Sequence, residues 1–123
     1  LPSLNLAYNI SKKHLIRAAY SLTVNRPEFR EVAPFTYYDF VYDVTRTGFV
    51  PRPDKQKLLN ASISNIDLRY EFYPSEGEMI TVALFDKQFR NPIEAKVLYN
   101  GSNVAFTVDN ADRAFSRGIE VEF

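Results

Sequence analysis

The sequence predicts an all-β fold: an antiparallel meander of about five strands that forms a fragment of a transmembrane β-barrel. Apolar and polar residues alternate with a period of two in several segments, as expected for strands. No segment approaches the roughly 20 apolar residues that a membrane helix needs, whereas a barrel strand needs only about 9 to 11. The predicted strands are residues 3–11, 15–25, 58–73, 79–90 and 104–123, all within one β-barrel domain that covers residues 1–123.

The first two strands have the clearest alternation. Leu4, Leu6, Tyr8 and Ile10 alternate with small or polar residues, and residues 15–25 resume the pattern after a polar turn at 11–14. This pattern predicts an antiparallel hairpin. In the third strand the alternation inverts upstream of Asn65, which indicates either a β-bulge or a strand end outside the bilayer.

The connections between strands alternate in length. Residues 11–14 and 74–78 are short turns, 26–57 is long, and 91–103 is intermediate and irregular. Outer-membrane barrels combine short periplasmic turns with longer extracellular loops. The alternation therefore predicts that residues 26–57 form a long extracellular loop.

The two faces of the predicted strands carry different residues. The face expected to contact lipid includes Leu6, Ile16, Tyr20, Leu22, Leu68 and Tyr70. The face expected to line the lumen includes Arg17, Asp67, Arg69, Glu71, Glu120 and Glu122. Charge on the lumen side is compatible with a membrane barrel because it avoids lipid.

The loop at 26–57 contains four of the seven prolines and seven of the eighteen aromatic residues. Such a composition predicts an ordered loop, and long ordered loops are commonly functional. Aromatic rings and guanidinium groups could bind a sugar or an anionic siderophore, although packing between loops is the more common use of such rings. The candidate ligand-binding residues are Arg26, Arg30, Tyr37, Tyr38, Phe40, Tyr42 and Arg46.

The composition argues against several other functions. Fifteen basic residues balance fifteen acidic ones, so no nucleic-acid partner is expected. The absence of cysteine removes thiolate sites, and the single histidine, His14, is expected to be a solvated turn residue. No catalytic set, metal site or cofactor is predicted, and the chain is not expected to be an enzyme.

Several stretches resemble the TonB-dependent receptor family, in the form common in Bacteroidetes-type outer membranes. They are YSLTVNRPEFRE at 20–31, APF at 33–35, NIDLRYEFYP at 65–74, FDK at 85–87, NPIE at 91–94 and GIEVEF at 118–123. The resemblance implies a barrel of about 22 strands around a plug. The chain would then be a fragment without the plug domain, located in the cell outer membrane of a Gram-negative bacterium.

The resemblance also implies the function and the partners. The whole protein would import a nutrient such as a siderophore, an oligosaccharide or a peptide. Its partners would be outer-membrane lipid, the imported small ligand, the TonB complex through the missing plug region, and a surface lipoprotein. Two alternatives are a soluble β-sandwich binding module, for example for carbohydrate, and an outer-membrane barrel enzyme.

Overall fold

The computed structural model describes residues 1–100 and 103–123. They form two compact units: unit 1 comprises Leu1–Thr23, Ser62–Phe89 and Ala114–Phe123, and unit 2 comprises Val24–Ala61 and Arg90–Arg113. No helix in the described part of the chain has the length and apolar character to cross a membrane. The assignment of both units to one β-barrel domain stays a prediction.

The described residues contain nine strands and one short helix. In chain order they are β1 (Ser3–Ser11), β2 (His14–Asn25), α1 (Phe29–Val32), β3 (Thr36–Asp39), β4 (Val44–Thr47), β5 (Ala61–Phe72), β6 (Ile80–Arg90), β7 (Ile93–Asn100), β8 (Asn103–Asn110) and β9 (Arg113–Glu122). Sheet 1 has the order β1-β2-β5-β6-β9, and sheet 2 has the order β3-β4-β8-β7. The predicted all-β class is therefore confirmed.

The predicted hairpin at the start of the chain is confirmed by its register. Leu4 pairs with Tyr20, Leu6 with Ala18 and Tyr8 with Ile16, and the register shifts between Asn9 and Ser11. Directly opposed residues of an antiparallel pair point to the same side of the sheet. The apolar residues of both strands therefore share one face.

The turn at residues 74–78 also forms where the sequence predicts it. The backbone N–H of Glu78 donates to the Ser75 carbonyl, and the Ser75 hydroxyl donates to the Glu78 carboxylate at 2.7 Å. Gly77 has a φ of 84°, a left-handed conformation that glycine adopts without steric cost. This glycine lets the chain reverse between β5 and β6 within a few residues.

Two long connections that the sequence presents as irregular contain three of the four strands of sheet 2. Residues 26–57 contain α1, β3 and β4, and residues 91–103 contain β7. The predicted final strand at 104–123 is also wrong, because β8 ends at Asn110 and β9 begins at Arg113. The Asn91 and Ala111 N–H groups donate to the Asp112 and Pro92 carbonyls, so backbone hydrogen bonds continue across this break between the two strands. The irregular region predicted at 91–103 includes Gly101 and Ser102, which lie outside the described residues.

Sheet 2 joins two connections that are far apart in sequence. β3 pairs with β4 and β7 with β8 as antiparallel hairpins, whereas β4 and β8 run parallel, with Thr45 opposite Ala105 and Arg46 opposite Phe106. Parallel neighbours cannot be joined by a tight turn. Each hairpin pairs strands that are close in sequence, whereas the contact between the two hairpins joins strands that are far apart in sequence.

Unit 2 contains the buried apolar side chains of the described residues: Phe49, Leu58 and Ala61. Gly48 lies so close to the end of α1 that a Cβ atom there would overlap the Ala33 carbonyl oxygen. Asn110 fixes the end of β8, because its side-chain amide donates to the carbonyls of Leu59 and Asn91 and accepts from the Leu59 N–H. Unit 2 is thus stabilised by the close packing of Gly48 against α1 and by side-chain hydrogen bonds around a small core.

Candidate functional site

Unit 1 exposes its large apolar side chains. Leu6 is 59% exposed, Leu68 44% and Ile119 69%, although each lies in the middle of a strand or close to it. The only buried residues of unit 1, among those described, are Glu71 and Thr81. Soluble sheets bury the apolar face and expose the polar one. Sheet 1 has the opposite distribution.

The polar face of sheet 1 is organised by ion pairs between strands. Arg17 donates to Glu71 at 3.0 Å, Tyr73 donates to the other carboxylate oxygen at 2.7 Å, and Arg69 lies 3.5 Å from Glu122. Glu71 is 4% exposed, so its charge is balanced by a cation and a hydroxyl donor, as a buried carboxylate requires. A charge placed there without these partners would be strongly unfavourable.

Two hollows occupy this polar face. One of about 360 Å³ is lined by Ala7, Arg17, Ala19, Asp67 and Arg69 among others. The second is lined by Arg69, Thr81, Ala83, Val121 and the two glutamates Glu120 and Glu122. All six residues that the sequence assigns to the lumen, Arg17, Asp67, Arg69, Glu71, Glu120 and Glu122, therefore lie on one face of sheet 1. That this face lines a lumen stays a prediction.

His14 does not behave as the solvated turn residue that the sequence suggests. It is the first residue of β2, its Nδ1 lies 2.6 Å from the Tyr70 hydroxyl, and its ring stacks on Phe72 with centroids 4.7 Å apart. His14 and Tyr70 belong to the apolar face, close to the short turns. The three rings form an aromatic cluster of the kind that occurs at membrane interfaces.

On two neighbouring strands the apolar face also carries charged residues, which sequence reasoning did not identify. Asp86 has the same parity along β6 as Val82 and Leu84, and Arg117 has the same parity along β9 as Ile119. Arg117 donates to Asp86 at 2.6 Å. An ion pair thus interrupts the apolar stripe on these two strands, and the alternation shows each member as a charged residue at an apolar position.

The β3–β4 hairpin separates the candidate ligand-binding residues onto two faces. Tyr37 and Arg46 are directly opposed, and with Arg30 they line a groove of about 190 Å³. The Arg30 guanidinium lies 5.8 Å from the centre of the Tyr37 ring. The groove is completed by Glu28, Glu31, Thr47, Gly48 and residues 106–108 of β8.

The other candidates lie outside this groove. Tyr38 has the opposite parity to Tyr37, donates to Asp43 and packs edge-to-face on Phe40 at 5.0 Å. Tyr42 lies under the Arg46 guanidinium at 5.4 Å, and Arg26 is an exposed residue just after β2. The structure therefore brings together three of the seven candidates and separates the rest.

Asp39 holds the tip of this hairpin. One carboxylate oxygen accepts from the N–H groups of Val41 and Tyr42 at 3.1 and 3.3 Å, and the other accepts from Arg46 at 2.8 Å. Partial burial acts to raise the pKa of Asp39, but these hydrogen bonds outweigh it, so the pKa is below its usual value. The tip, with Phe40 87% exposed, is fixed by this carboxylate.

Asp109 is the most highly connected charge of unit 2, and sequence reasoning did not identify it. Its carboxylate accepts from Lys55 at 2.7 Å, from Lys96 at 2.9 Å and from both terminal nitrogens of Arg52 at 3.0 Å. Burial acts to raise the pKa of Asp109, but the three cations lower it well below its usual range. We call these four residues the Asp109 cluster.

The contacts of the Asp109 cluster define its role. Lys55 and Arg52 come from the segment before β5, whereas Lys96 lies on β7 and Asp109 on β8. Asp109 faces Glu94 across the β7–β8 pair, so the acidic and basic groups nearly balance. The cluster therefore joins two segments and does not concentrate charge of one sign for a ligand.

The described residues form surfaces suited to binding: the two faces of sheet 1 and the groove on the β3–β4 hairpin. No group of three or more His, Asp or Glu side chains in residues 1–100 and 103–123 is arranged to hold a metal ion. An antiparallel meander with an apolar exposed face and an ion-paired opposite face is the arrangement of a segment of a β-barrel wall.

The family is established by the whole chain. Residues 1–123 match the family model of the TonB-dependent receptor-like β-barrel, and the chain belongs to this family. The match favours the barrel over the soluble β-sandwich alternative. The Bacteroidetes-type form stays a prediction.

Solved structures share the fold. The siderophore receptor PirA from Pseudomonas aeruginosa has a TM-score of 0.76 and 19% identity, over 98% of this chain and 24% of that protein. The ferric enterobactin receptor PfeA has a TM-score of 0.70 and 17% identity, over 98% of this chain and 19% of that one. A point mutant of PfeA from Pseudomonas aeruginosa in complex with enterobactin has the same scores. No curated protein matches the chain. The chain thus spans about a quarter or less of these structures.

Proposed function

We propose that the chain is part of an outer-membrane TonB-dependent transporter that imports a nutrient such as a siderophore, an oligosaccharide or a peptide. Sheet 1 forms part of the barrel wall in the outer membrane of a Gram-negative bacterium, and sheet 2 belongs to the extracellular region. The TonB complex acts on the plug of the whole protein, and a surface lipoprotein is a further candidate partner.

The observation that carries this proposal is the distribution of burial in sheet 1. Its apolar side chains are exposed on every strand, while a carboxylate and a hydroxyl are buried. In water such a face would be strongly unfavourable, at roughly 25 cal/mol per Å² of apolar surface. In a bilayer the same face is in its preferred environment.

Spin labels in the full-length protein in lipid test this wall assignment. Labels at Leu6, Leu68 and Ile16 are expected to be accessible to oxygen and shielded from polar quenchers, because these side chains face the acyl chains. Labels at Arg69 and Glu120 provide the matched control on the opposite face. Burial of the first group against a second layer of protein would refute the membrane assignment.

The loop at 26–57 supports a role in ligand contact, and the groove on the β3–β4 hairpin is the part best suited to it. Tyr37 offers a ring, and Arg30 and Arg46 offer guanidinium groups on the same side. Arg46 already donates to Asp39, so Arg30 is the cation more available to a ligand. Tyr37 is therefore the residue whose loss should most affect affinity without altering the turn.

Adjacent tyrosines provide the test. Tyr37→Ala in the intact receptor is expected to weaken ligand binding by about tenfold, or about 1.4 kcal/mol. Tyr38→Ala is the matched control, since this side chain lies on the other face of the hairpin. A dominant effect of Tyr38 would place the contact on the opposite face, and no effect of either would refute contact by this hairpin.

Removal of the whole hairpin gives a broader test. Deletion of residues 36–47, which are β3, β4 and their turn, should reduce uptake and ligand affinity while the barrel still assembles. Retained affinity would mean that the loop serves only to pack against other loops. Lost assembly would show that its aromatic residues are structural.

A further inference from the structure

The two outer strands of sheet 2 differ in how they end the sheet. Within the described residues, β3 pairs only with β4, and β7 pairs only with β8. β3 has four residues, so it offers little backbone to another strand. β7 has eight residues and contains no proline. The β7 edge is therefore the long open edge of sheet 2.

The second half of β7 also lacks the charged residues that usually protect an edge strand. Exposed edge strands commonly carry free lysines, which disfavour pairing with another chain. Lys96 is the lysine of β7, and its ammonium is bound to Asp109 at 2.9 Å. Beyond it, Val97 is 43%, Leu98 39% and Tyr99 79% exposed. Apolar residues on both faces of an open edge are suited to pairing with a further strand.

Sheet 2 already shows how such an edge is completed. Its β3–β4 hairpin comes from the connection between β2 and β5, and its β7–β8 hairpin from the connection between β6 and β9. These are successive long connections of the meander, and β4 pairs with β8. The second connection thus adds a strand pair to that of the first, which leaves β7 at the open edge of the sheet.

We propose that the β7 edge pairs with a strand from the next long connection of the same protein, beyond Phe123. This inference rests on the proposed barrel, in which further strands follow β9. The chain spans 24% and 19% of the lengths of the PirA and PfeA structures, so further connections of this kind are expected. Sheet 2 is then one part of a continuous sheet formed by successive extracellular connections.

Hydrogen exchange of the full-length receptor in detergent tests the pairing. In an antiparallel ladder successive residues direct their N–H groups to opposite sides, so an open edge leaves about half of its amides without a partner. We expect nearly all β7 amides to be protected in the receptor without ligand. Fast exchange of about half of them would overturn the proposal.

Two other outcomes would also overturn it. Protection that appears only after the imported ligand is added would mean that the ligand occupies the edge. Protection that appears only in a complex with a second protein would assign the edge to that protein. The exchange of β1, β2 and β5 serves as the reference, because fast exchange there would instead refute the proposed barrel.

A matched pair of proline variants gives an independent test. Of Val97 and Leu98, one directs its N–H toward β8 and the other directs it away. At an open edge, Val97→Pro and Leu98→Pro should differ, because proline is tolerated where no ladder hydrogen bond is lost. At a paired edge both variants should increase the exchange of β7. A difference between them, with one variant unchanged from the wild type, would contradict the pairing.

Discussion

Replacing Asp109 with asparagine should destabilise unit 2 while leaving sheet 1 intact. Asn retains the shape of the side chain and can still accept from the Asn110 N–H, but it removes the charge that three cations share. Breaking a buried ion pair costs about 3 to 5 kcal/mol. Arg52 and Lys96 are about half exposed and can return to water, whereas Lys55 is 20% exposed. The lower end, about 3 kcal/mol, is therefore expected.

Hydrogen exchange in the intact receptor measures this loss. A change of about 3 kcal/mol corresponds to about a hundredfold faster exchange in β8, at 1.36 kcal/mol per factor of ten. The matched control is Asp54→Asn, because Asp54 is 73% exposed and lies 3.3 Å from Arg52. An exposed pair of this kind contributes little. If the two variants have equal effects, the assignment of the Asp109 cluster as a structural link is wrong.

Three further predictions concern Asp109, Leu68 and Gly48. The stabilisation by Asp109 should be complete above its unfolded pKa of about 3.9 and decline as the pH falls below that value, because the folded pKa is lower; the difference in thermal stability between wild type and Asp109→Asn should therefore be smaller at pH 3 than at pH 7. Leu68→Arg should destabilise the barrel by about 2 to 4 kcal/mol in lipid. Arg69→Leu should not weaken the contact with lipid. Heat-modifiable migration in gels distinguishes the stability of the two variants. Gly48→Ala should displace α1, because the new Cβ would overlap the Ala33 carbonyl; limited proteolysis between β2 and β3 should then become faster, and an unchanged cleavage rate would contradict the close approach.

The alternation of the sequence was sufficient to predict most of sheet 1. Side chains of period two determine the face of each residue, so Arg17, Asp67 and Arg69 could be assigned together before any pairing was known. The opposed residues of β1 and β2 confirm this pattern. The face is a local property of a strand, and local properties can be read from a short segment.

The strands of sheet 2 could not be found by the same means. β3 and β4 have four residues each, which is too short for alternation to be distinguished from chance. β7 does alternate, but Asn91-Pro92 before it suggested an irregular connection. The Asp109 cluster depends on tertiary pairing between residues up to 57 positions apart, which single-sequence patterns do not report.

The parallel contact between β4 and β8 implies an order of folding steps. Each hairpin of sheet 2 can close on its own, since β-hairpins form in about 1 to 10 μs. Their docking must wait until β5 and β6 have been made, because the link from Arg52 to Asp109 spans 57 residues. Before that time the β3–β4 hairpin exposes β4 to any other strand within reach.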